Sequence, residues 1–391
     1  MNDVFIIDAL RTPFGSFSGS LANVPAPKLA APVMAKLLEN SGLPAETVDQ
    51  VIAGQVVAGG TGQAPARQAM RFAGIPDSAG ALTINKVCGS GLKALMLGAD
   101  AIRLGDADVV IAGGMENMSL APYALPAARA GMRMGDNKAV DLMVFDALTD
   151  PYTGRHMGQV AEERVKAHQL TREAQDDYAI SSYKRSQESI KNGVFDAEIV
   201  PVVKTTRKGD IVIDKDEEPA NVNFDRLSTL RPVFDKNGSI TAANASTIND
   251  GAAFALLVSA ATVEKYGLKP KARLVSYATN SLHPDMFPDA PVGAITKALK
   301  KAGLNIEDIG RFEINEAFAA VTMIAINELG LDRNKVNVNG GAVSIGHPVG
   351  ASGARLVATL LPELERSNER YGLATLCIGG GEAVAAVFER L

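Results

Sequence analysis

Four side chains in this 391-residue sequence stand where reactive chemistry would need them, and they come from distant points of the chain. Cys88 lies in NKVCGSGLKAL, where an apolar segment turns into a helix. Glycines on both sides of Ser90 permit a sharp bend there, and Leu92, Leu95, Ala99 and Ile102 recur at the spacing of a buried helical face. A cysteine just ahead of a helix meets partial positive charge and free N–H groups, which favour its thiolate; the other reading is a small buried hydrophobe. His347, one of only four histidines, sits in NGGAVSIGHPVGASGAR among five glycines. Pro348 biases it to extended backbone, and a polar loop residue of this kind serves binding or catalysis more often than packing. These glycines lack both the GxxxxGK[ST] pattern of a phosphate loop and the acidic residue of a dinucleotide fold. In EINEAFAAV, Asn315 interrupts an apolar strand-to-helix transition, either as a helix N-cap or as an amide that holds a water or substrate oxygen. Cys377 ends the strand of LATLCIGGGE, and Gly379 just after it can turn its N–H to a ligand. A buried thiol, or a disulfide or redox pair with Cys88, is the alternative for Cys377.

The elements that must position these groups are visible as an internal repeat, which is worth finding before any motif. SGLPAETVDQVIAGQ from Ser41 aligns with AGLNIEDIGRFEINE from Ala302 at an offset of 261. CGSGLKAL aligns with GASGARLV at an offset of 262, placing Ser90-Gly91 on Ser352-Gly353. DVVIAGG from Asp108 then meets LATLCIGG from Leu373, with Gly113 over Gly379. Strands alternate with helices in each copy. The expected fold is α/β: two duplicated mixed-sheet halves packed together, with ligands gathering at the loops beyond the strand ends. The first copy is interrupted between Gly114 and DGAAFALLVS by about 130 residues, far more than an ordinary loop. That segment is polar, with a helix-like TREAQDDYAISSYKRSQESIKNG and a hairpin-like KGDIVIDKDEE, and should overhang Cys377. The expected division is 1–119 with 247–269, an inserted loop domain at 120–246, and 270–391.

Composition narrows the partners. The net charge of −5, the absence of Trp and the 5% aromatic content argue against nucleic acid. No apolar run reaches the ~18 residues that span a bilayer, and the N-terminus shows no signal pattern. Two cysteines make no disulfide framework. The expectation is a cytoplasmic protein without a metal.

Together these motifs resemble the thiolase family, over essentially the whole chain. NKVCGSGLKAL, NEAFAAV, NVNGGAVSIGHPVGASGAR and LATLCIGGGEA are similar to that family's signatures. RTPFGSF, GQAPARQ, AGGMENMS, RHMGQVAEE and NASTINDGAA also look like family blocks. The resemblance implies the thiolase fold, with the insertion carrying coenzyme A, and a role for each residue. Cys88 would be the nucleophile that takes an acyl group from acyl-CoA, and His347 would deprotonate it. Cys377 would remove the α-proton of acetyl-CoA. Asn315 would hold a water that forms one oxyanion hole with His347, and the N–H groups of Cys88 and Gly379 would form the other. Claisen chemistry needs such a nucleophile, a base and donors for two developing oxyanions, and one thiol cannot be both acylated and basic. Leu148, His156, Met157 and Ser246 are implied to bind coenzyme A, with Phe318 on the pocket wall, although His156 and Met157 also have plain packing readings. No cation for the nucleotide end is evident; Arg207 and Lys208 are available.

The implied reaction is the reversible condensation of two acetyl-CoA to acetoacetyl-CoA and CoA, with a 3-ketoacyl-CoA thiolase of broader chain length as the alternative. DMFPDAP, residues 285–291, is similar to the loop of a subgroup that accepts branched short acyl groups and binds a monovalent cation. CoA thioesters are substrates, and the monovalent cation of that subgroup is the one further group the resemblance admits. The resemblance also implies a homo-oligomer, dimer or tetramer, with GQAPARQ near the dimer contact. Three rivals are a ketosynthase, which would carry a second His at Cys377, a non-catalytic acyl-CoA carrier, and a thiol redox switch.

Overall fold

A computed structural model describes residues 3–391. Nine strands form a continuous path in one sheet, in the order Ile309–Ile314, Tyr371–Ile378, Glu382–Arg390, Ala272–Ser281, Val4–Arg11, Asn249–Ser259, Val109–Asn117, Gln50–Gly54 and Gly80–Ile84. The repeat is written in this order. Gln50–Gly54 runs parallel to Val109–Asn117, as Ile309–Ile314 runs parallel to Tyr371–Ile378. Each parallel pair is followed by an antiparallel partner, Asn249–Ser259 in one half and Glu382–Arg390 in the other. Each partner then pairs with the first strand of its own half. The halves join through the short antiparallel contact of Phe5 with Arg273 and Ile6 with Ala272. Gly80–Ile84 extends the first half only and leaves an exposed edge.

The register corrects one alignment. Gly113 stands opposite Phe254, five residues before Ser259, and Thr375 stands opposite Ala385, five residues before Arg390. Ser259 and Arg390 in turn stand opposite Val4 and Ala272. The counterpart of Gly113 is therefore Thr375, not Gly379. The sequence match had slid along a glycine-rich turn, which offers no side chains to fix register.

Strands Val109–Asn117 and Asn249–Ser259 are buried at every position, as a sheet covered on both faces requires. Two helices, Ser90–Leu104 and Ser352–Ser367, form the central layer. Leu92, Leu95, Leu356 and Leu360 pack there with Leu257 of one half-sheet and Leu376 of the other. Their first turns touch through glycine: a Cβ on Gly91 would lie 2.8 Å from the Ala354 nitrogen, and one on Gly353 would lie 2.4 Å from the Leu92 nitrogen. Helix Ala26–Ser41 covers the outer face of the first half and Ala290–Ala302 that of the second.

Between Asn117 and Asn249 lie helices Met157–Ala167 and Arg172–Lys191 and the hairpin of Val202–Thr206 with Gly209–Ile213. The second helix starts where Thr171 accepts the Ala174 N–H. A buried arginine ties this segment to the sheet. Arg11, on the first strand, meets Glu198 at 2.5 Å and Asp216 through two bonds of 2.7 and 2.8 Å. Glu198 also accepts the Thr359 hydroxyl of the central helix at 3.0 Å.

Candidate active site

Cys88 sits in a turn that the chain holds in a strained shape. Val87, a β-branched residue, has φ of 45°, a conformation that persists only where its surroundings enforce it. The Asn85 side chain accepts the Val87 N–H at 2.9 Å. The Ser90 hydroxyl accepts the Lys86 N–H at 2.8 Å and donates to the Val87 carbonyl at 2.6 Å. A Cβ on Gly89 would lie 2.3 Å from the end of the Ile378 side chain, so glycine lets the Cys88 turn sit close against the Cys377 strand. Backbone N–H groups of Gly379 and of Cys88 itself act to lower the Cys88 thiol.

Cys88 is partly exposed on the cavity wall, but desolvation of its sulfur opposes these N–H groups. Burial pushes the Cys88 thiol up to about 11, the two N–H groups offset part of this, and the Glu116 carboxylate adds to the rise. Of the two sequence readings, the stabilisation of a thiolate by N–H groups is present but is outweighed by desolvation. Burial likewise pushes the Cys377 thiol well up. Both cysteines are free thiols.

His347 is poised to take a proton. The Ser352 hydroxyl donates to the Pro348 carbonyl at 2.9 Å, so it accepts from His347 Nδ1 at 2.5 Å. The proton is thereby assigned to Nδ1, and Nε2 keeps its lone pair. Burial and the Arg355 charge push the imidazole down to about 3, so it rests neutral. Its own backbone N–H is held by Asn249 Oδ1 at 2.9 Å. Asn315 Nδ2 lies 3.4 Å from Nε2, and Asn315 Oδ1 is buried with no partner. The N-cap reading of Asn315 is excluded, because the next helix starts at Ala319 with Phe318 as its cap.

Cys88, His347, Cys377 and Gly379 line one cavity of about 210 Å³, and so do Leu148, His156, Met157, Ser246 and Phe318. Asn315 alone of the expected residues is not on its wall; it is wholly buried behind His347. Among the described residues, no group of three or more His, Cys, Asp or Glu could hold a metal ion, and no helix is long and apolar enough to cross a membrane.

Residues 4–261 match the family description "Thiolase, N-terminal domain", and residues 268–390 match "Thiolase, C-terminal domain". The chain belongs to the thiolase family. Among its curated relatives, the acetyl-CoA acetyltransferase of Pseudomonas aeruginosa is 52% identical, with 100% of both chains covered. That of Cupriavidus necator is 51% identical over the same full coverage. That of Yarrowia lipolytica is 47% identical, covering 100% of this chain and 97% of the relative. The crystal structure of the Bacillus anthracis acetyl-CoA acetyltransferase superposes with a TM-score of 0.97 at 41% identity, covering 100% of this chain and 99% of that one.

The roof of the thiolase cavity comes from the segment between Asn117 and Asn249. His156 caps the Met157–Ala167 helix, accepting the Gly158 N–H on Nδ1 at 3.0 Å, and stacks on Phe234 with centroids 4.8 Å apart. It is thus both the packing histidine and a wall residue. Gly158 is needed for that stack, since a Cβ there would lie 2.3 Å from the Phe234 ring. Ser246 is set by its N–H bond to the Ala317 carbonyl at 3.0 Å. Phe318 meets Phe234 edge-on at 6.2 Å and Phe287 at 6.3 Å. Phe287 is the aromatic residue of DMFPDAP, and it closes the side of the cavity next to Phe318.

Sequence reasoning missed Phe234, Met118, Asn249 and the role of Ser352. Phe234 carries no motif signal, and only the fold of its segment brings it to His156. Ser352 lay inside a conspicuous glycine loop, but its hydroxyl was legible only as part of a helix start.

Proposed function

We propose that this thiolase is an acetyl-CoA acetyltransferase, joining two acetyl-CoA into acetoacetyl-CoA and CoA through an acetyl-cysteine, reversibly. The observation that carries the reading is that Cys88, His347, Cys377 and Gly379, from distant points of the chain, line one cavity. The names and full-length identity of the relatives support it.

In the first half-reaction, His347 Nε2 takes the Cys88 proton as the sulfur attacks the thioester carbon. The C–S bond to CoA breaks, and the departing sulfur takes the Cys377 proton. Acetyl-Cys88, a Cys377 thiolate and a His347 imidazolium remain. In the second, the Cys377 thiolate removes an α-proton from a new acetyl-CoA, and the resulting carbanion attacks the acetyl carbon on Cys88. The C–S bond to Cys88 breaks, and that sulfur recovers its proton from His347. Every proton is returned. The oxyanion on acetyl-Cys88 is stabilised by the Cys88 and Gly379 N–H groups, and that of the second thioester by His347 and a water held by Asn315. A neutral imidazole beside a neutral thiol suits this cycle, because charge separates only as the sulfur attacks.

Leu148, His156, Met157 and Ser246 would hold the pantetheine end, with Phe318 as the wall behind the acyl group. The division into 1–119 with 247–269, 120–246 and 270–391 belongs to the same reading, with the middle part as the CoA-binding lid. Side chains and backbone donors carry each step, so the reading calls on no cofactor. A cytoplasmic homo-oligomer completes it, with the exposed Gly80–Ile84 edge and Leu82, half exposed, supplying an unpaired strand for a second copy.

Brief mixing with acetyl-CoA, an acid quench and peptide mass mapping test the reading. An acetyl group on Cys88 and none on Cys377 is the expected result. An unmodified Cys88 in folded protein would overturn it. Faster cleavage of palmitoyl-length 3-ketoacyl-CoA than of acetoacetyl-CoA would favour the broader 3-ketoacyl-CoA thiolase.

A further inference from the structure

Glu116 is a buried carboxylate that the reaction cycle above does not use. It is wholly inaccessible, and among the described residues it forms no ion pair. Its partners are three backbone N–H groups. Oε2 accepts from Val56 at 2.9 Å and from Gly350 at 3.0 Å, and Oε1 accepts from Val57 at 3.1 Å. Three donors and no acceptor favour the ionised carboxylate and offset part of the rise, to about 7, that burial causes.

Those donors come from both halves of the molecule. Val56 and Val57 follow the Gln50–Gly54 strand, whereas Gly350 belongs to the turn between His347 and Ser352. Gly350 is also the repeat counterpart of Cys88. The turn that carries it is pressed into the first half with no room to spare. A Cβ on Gly114 would lie 1.9 Å from the Gly350 oxygen, and a Cβ on Gly350 itself would lie 2.7 Å from Glu116 Oε2. Around the carboxylate, Val56, Val57, Val349 and Met118 form one apolar cluster against which Cys88 packs. The group thus sits where the turn bearing the base crosses the half bearing the nucleophile.

We propose that Glu116 is a positioning residue: its carboxylate anchors the Pro348–Gly350 turn and so fixes the His347 imidazole relative to Cys88. The inference rests on the functional reading above. Glutamine fills the same volume but cannot accept from all three donors. Its oxygen can serve Val56 and Gly350, and its NH₂ then faces the Val57 N–H. Misplacing reacting groups by ~1 Å costs on the order of 10²-fold in rate, while substrate contacts in the lid are untouched.

The test compares Glu116→Gln, Gly350→Ala and the double variant, each checked for native melting. Gly350→Ala crowds both Glu116 Oε2 and the Met115 carbonyl, each 2.7 Å from the new Cβ, without altering charge, and stands in if Glu116→Gln fails to fold. Either substitution is expected to lower kcat and the rate of Cys88 acetylation by about 10- to 100-fold, with KM for acetyl-CoA within about twofold of wild type. Because both disturb the Glu116–Gly350 contact, the loss in the double variant should fall short of the product of the single losses. Wild-type turnover in Glu116→Gln, a raised KM with kcat retained, or multiplying losses would each overturn the inference and leave the functional reading intact. A wild-type enzyme that does not acetylate Cys88 would overturn the functional reading and this inference with it.

Discussion

Ser352 accepts the Nδ1–H of His347 at 2.5 Å because its own proton is committed to the Pro348 carbonyl. One hydroxyl therefore sets both the tautomer and the tilt of the ring. Ser352→Ala leaves Nδ1 without its partner and frees the ring to carry its proton on either nitrogen. The expected outcome is a fall in kcat of about 10- to 100-fold with little change in KM. Steady-state kinetics check this, and a variant as fast as wild type would show that the tautomer is set elsewhere.

The resting protonation states predict slow alkylation. With its thiol pushed up to about 11, Cys88 should react with iodoacetamide more slowly at pH 7.5 than a free thiol of pKa about 8.5. Its rate should climb about tenfold per pH unit and continue rising above pH 9. Peptide mapping of alkylated Cys88 across that range is the measurement; a plateau below pH 9 would contradict burial as the dominant cause.

His347 makes stability depend on acid in a definite direction. Its folded value is about 3 against 6.5 for the free group, so between these only the unfolded chain binds the proton. The contribution is complete above about pH 6.5 and is lost as pH falls toward 3. From pH 7 to pH 5 the loss is about 2 kcal/mol. Glu116 and Glu313, raised by burial to about 7 and about 8, act in the opposite sense, so the comparison must be with His347→Asn, which keeps both. Urea unfolding at the two pH values should show the larger acid loss in wild type; equal losses would refute the depressed histidine.

Arg11 anchors three parts of the chain at once. Arg11→Met leaves the buried carboxylates of Glu198 and Asp216 without their cation, which costs about 3–5 kcal/mol. Chemical denaturation reads the loss, and a change under about 1 kcal/mol would mean that the carboxylates had found protons or water instead.

The exposed edge strand predicts association. Leu82→Lys places a charge on the Gly80–Ile84 edge and should shift the protein toward monomer in analytical ultracentrifugation. A wild-type protein that is already monomeric would remove the premise.

The reactive residues were legible because their types are rare and their contexts odd. Two cysteines and a histidine, each beside clustered glycines, stand out against apolar strands, and the repeat showed which strand ends must converge. Charge state was not legible. The effect of N–H groups near Cys88 is local, while desolvation depends on what packs around the sulfur, including a roof from a distant segment. Asn315 was found with two open readings, of which the cap falls because the next helix begins four residues later, at Ala319. The third repeat match slipped for the same reason that glycine turns are useful, because they carry no side chains to hold a register. Ser352 and Phe234 needed orientation and tertiary contact, which no spacing rule supplies.

Gly350 stands at the repeat position of Cys88, so the chain has two equivalent turns and one sulfur between them. The duplication doubled the architecture without doubling the stoichiometry. Titration with a labelled acyl donor should therefore saturate at one group per 40.9 kDa chain, and any fractional value measures the inactive share of a preparation. An assembly of such chains counts its working sites by counting its subunits.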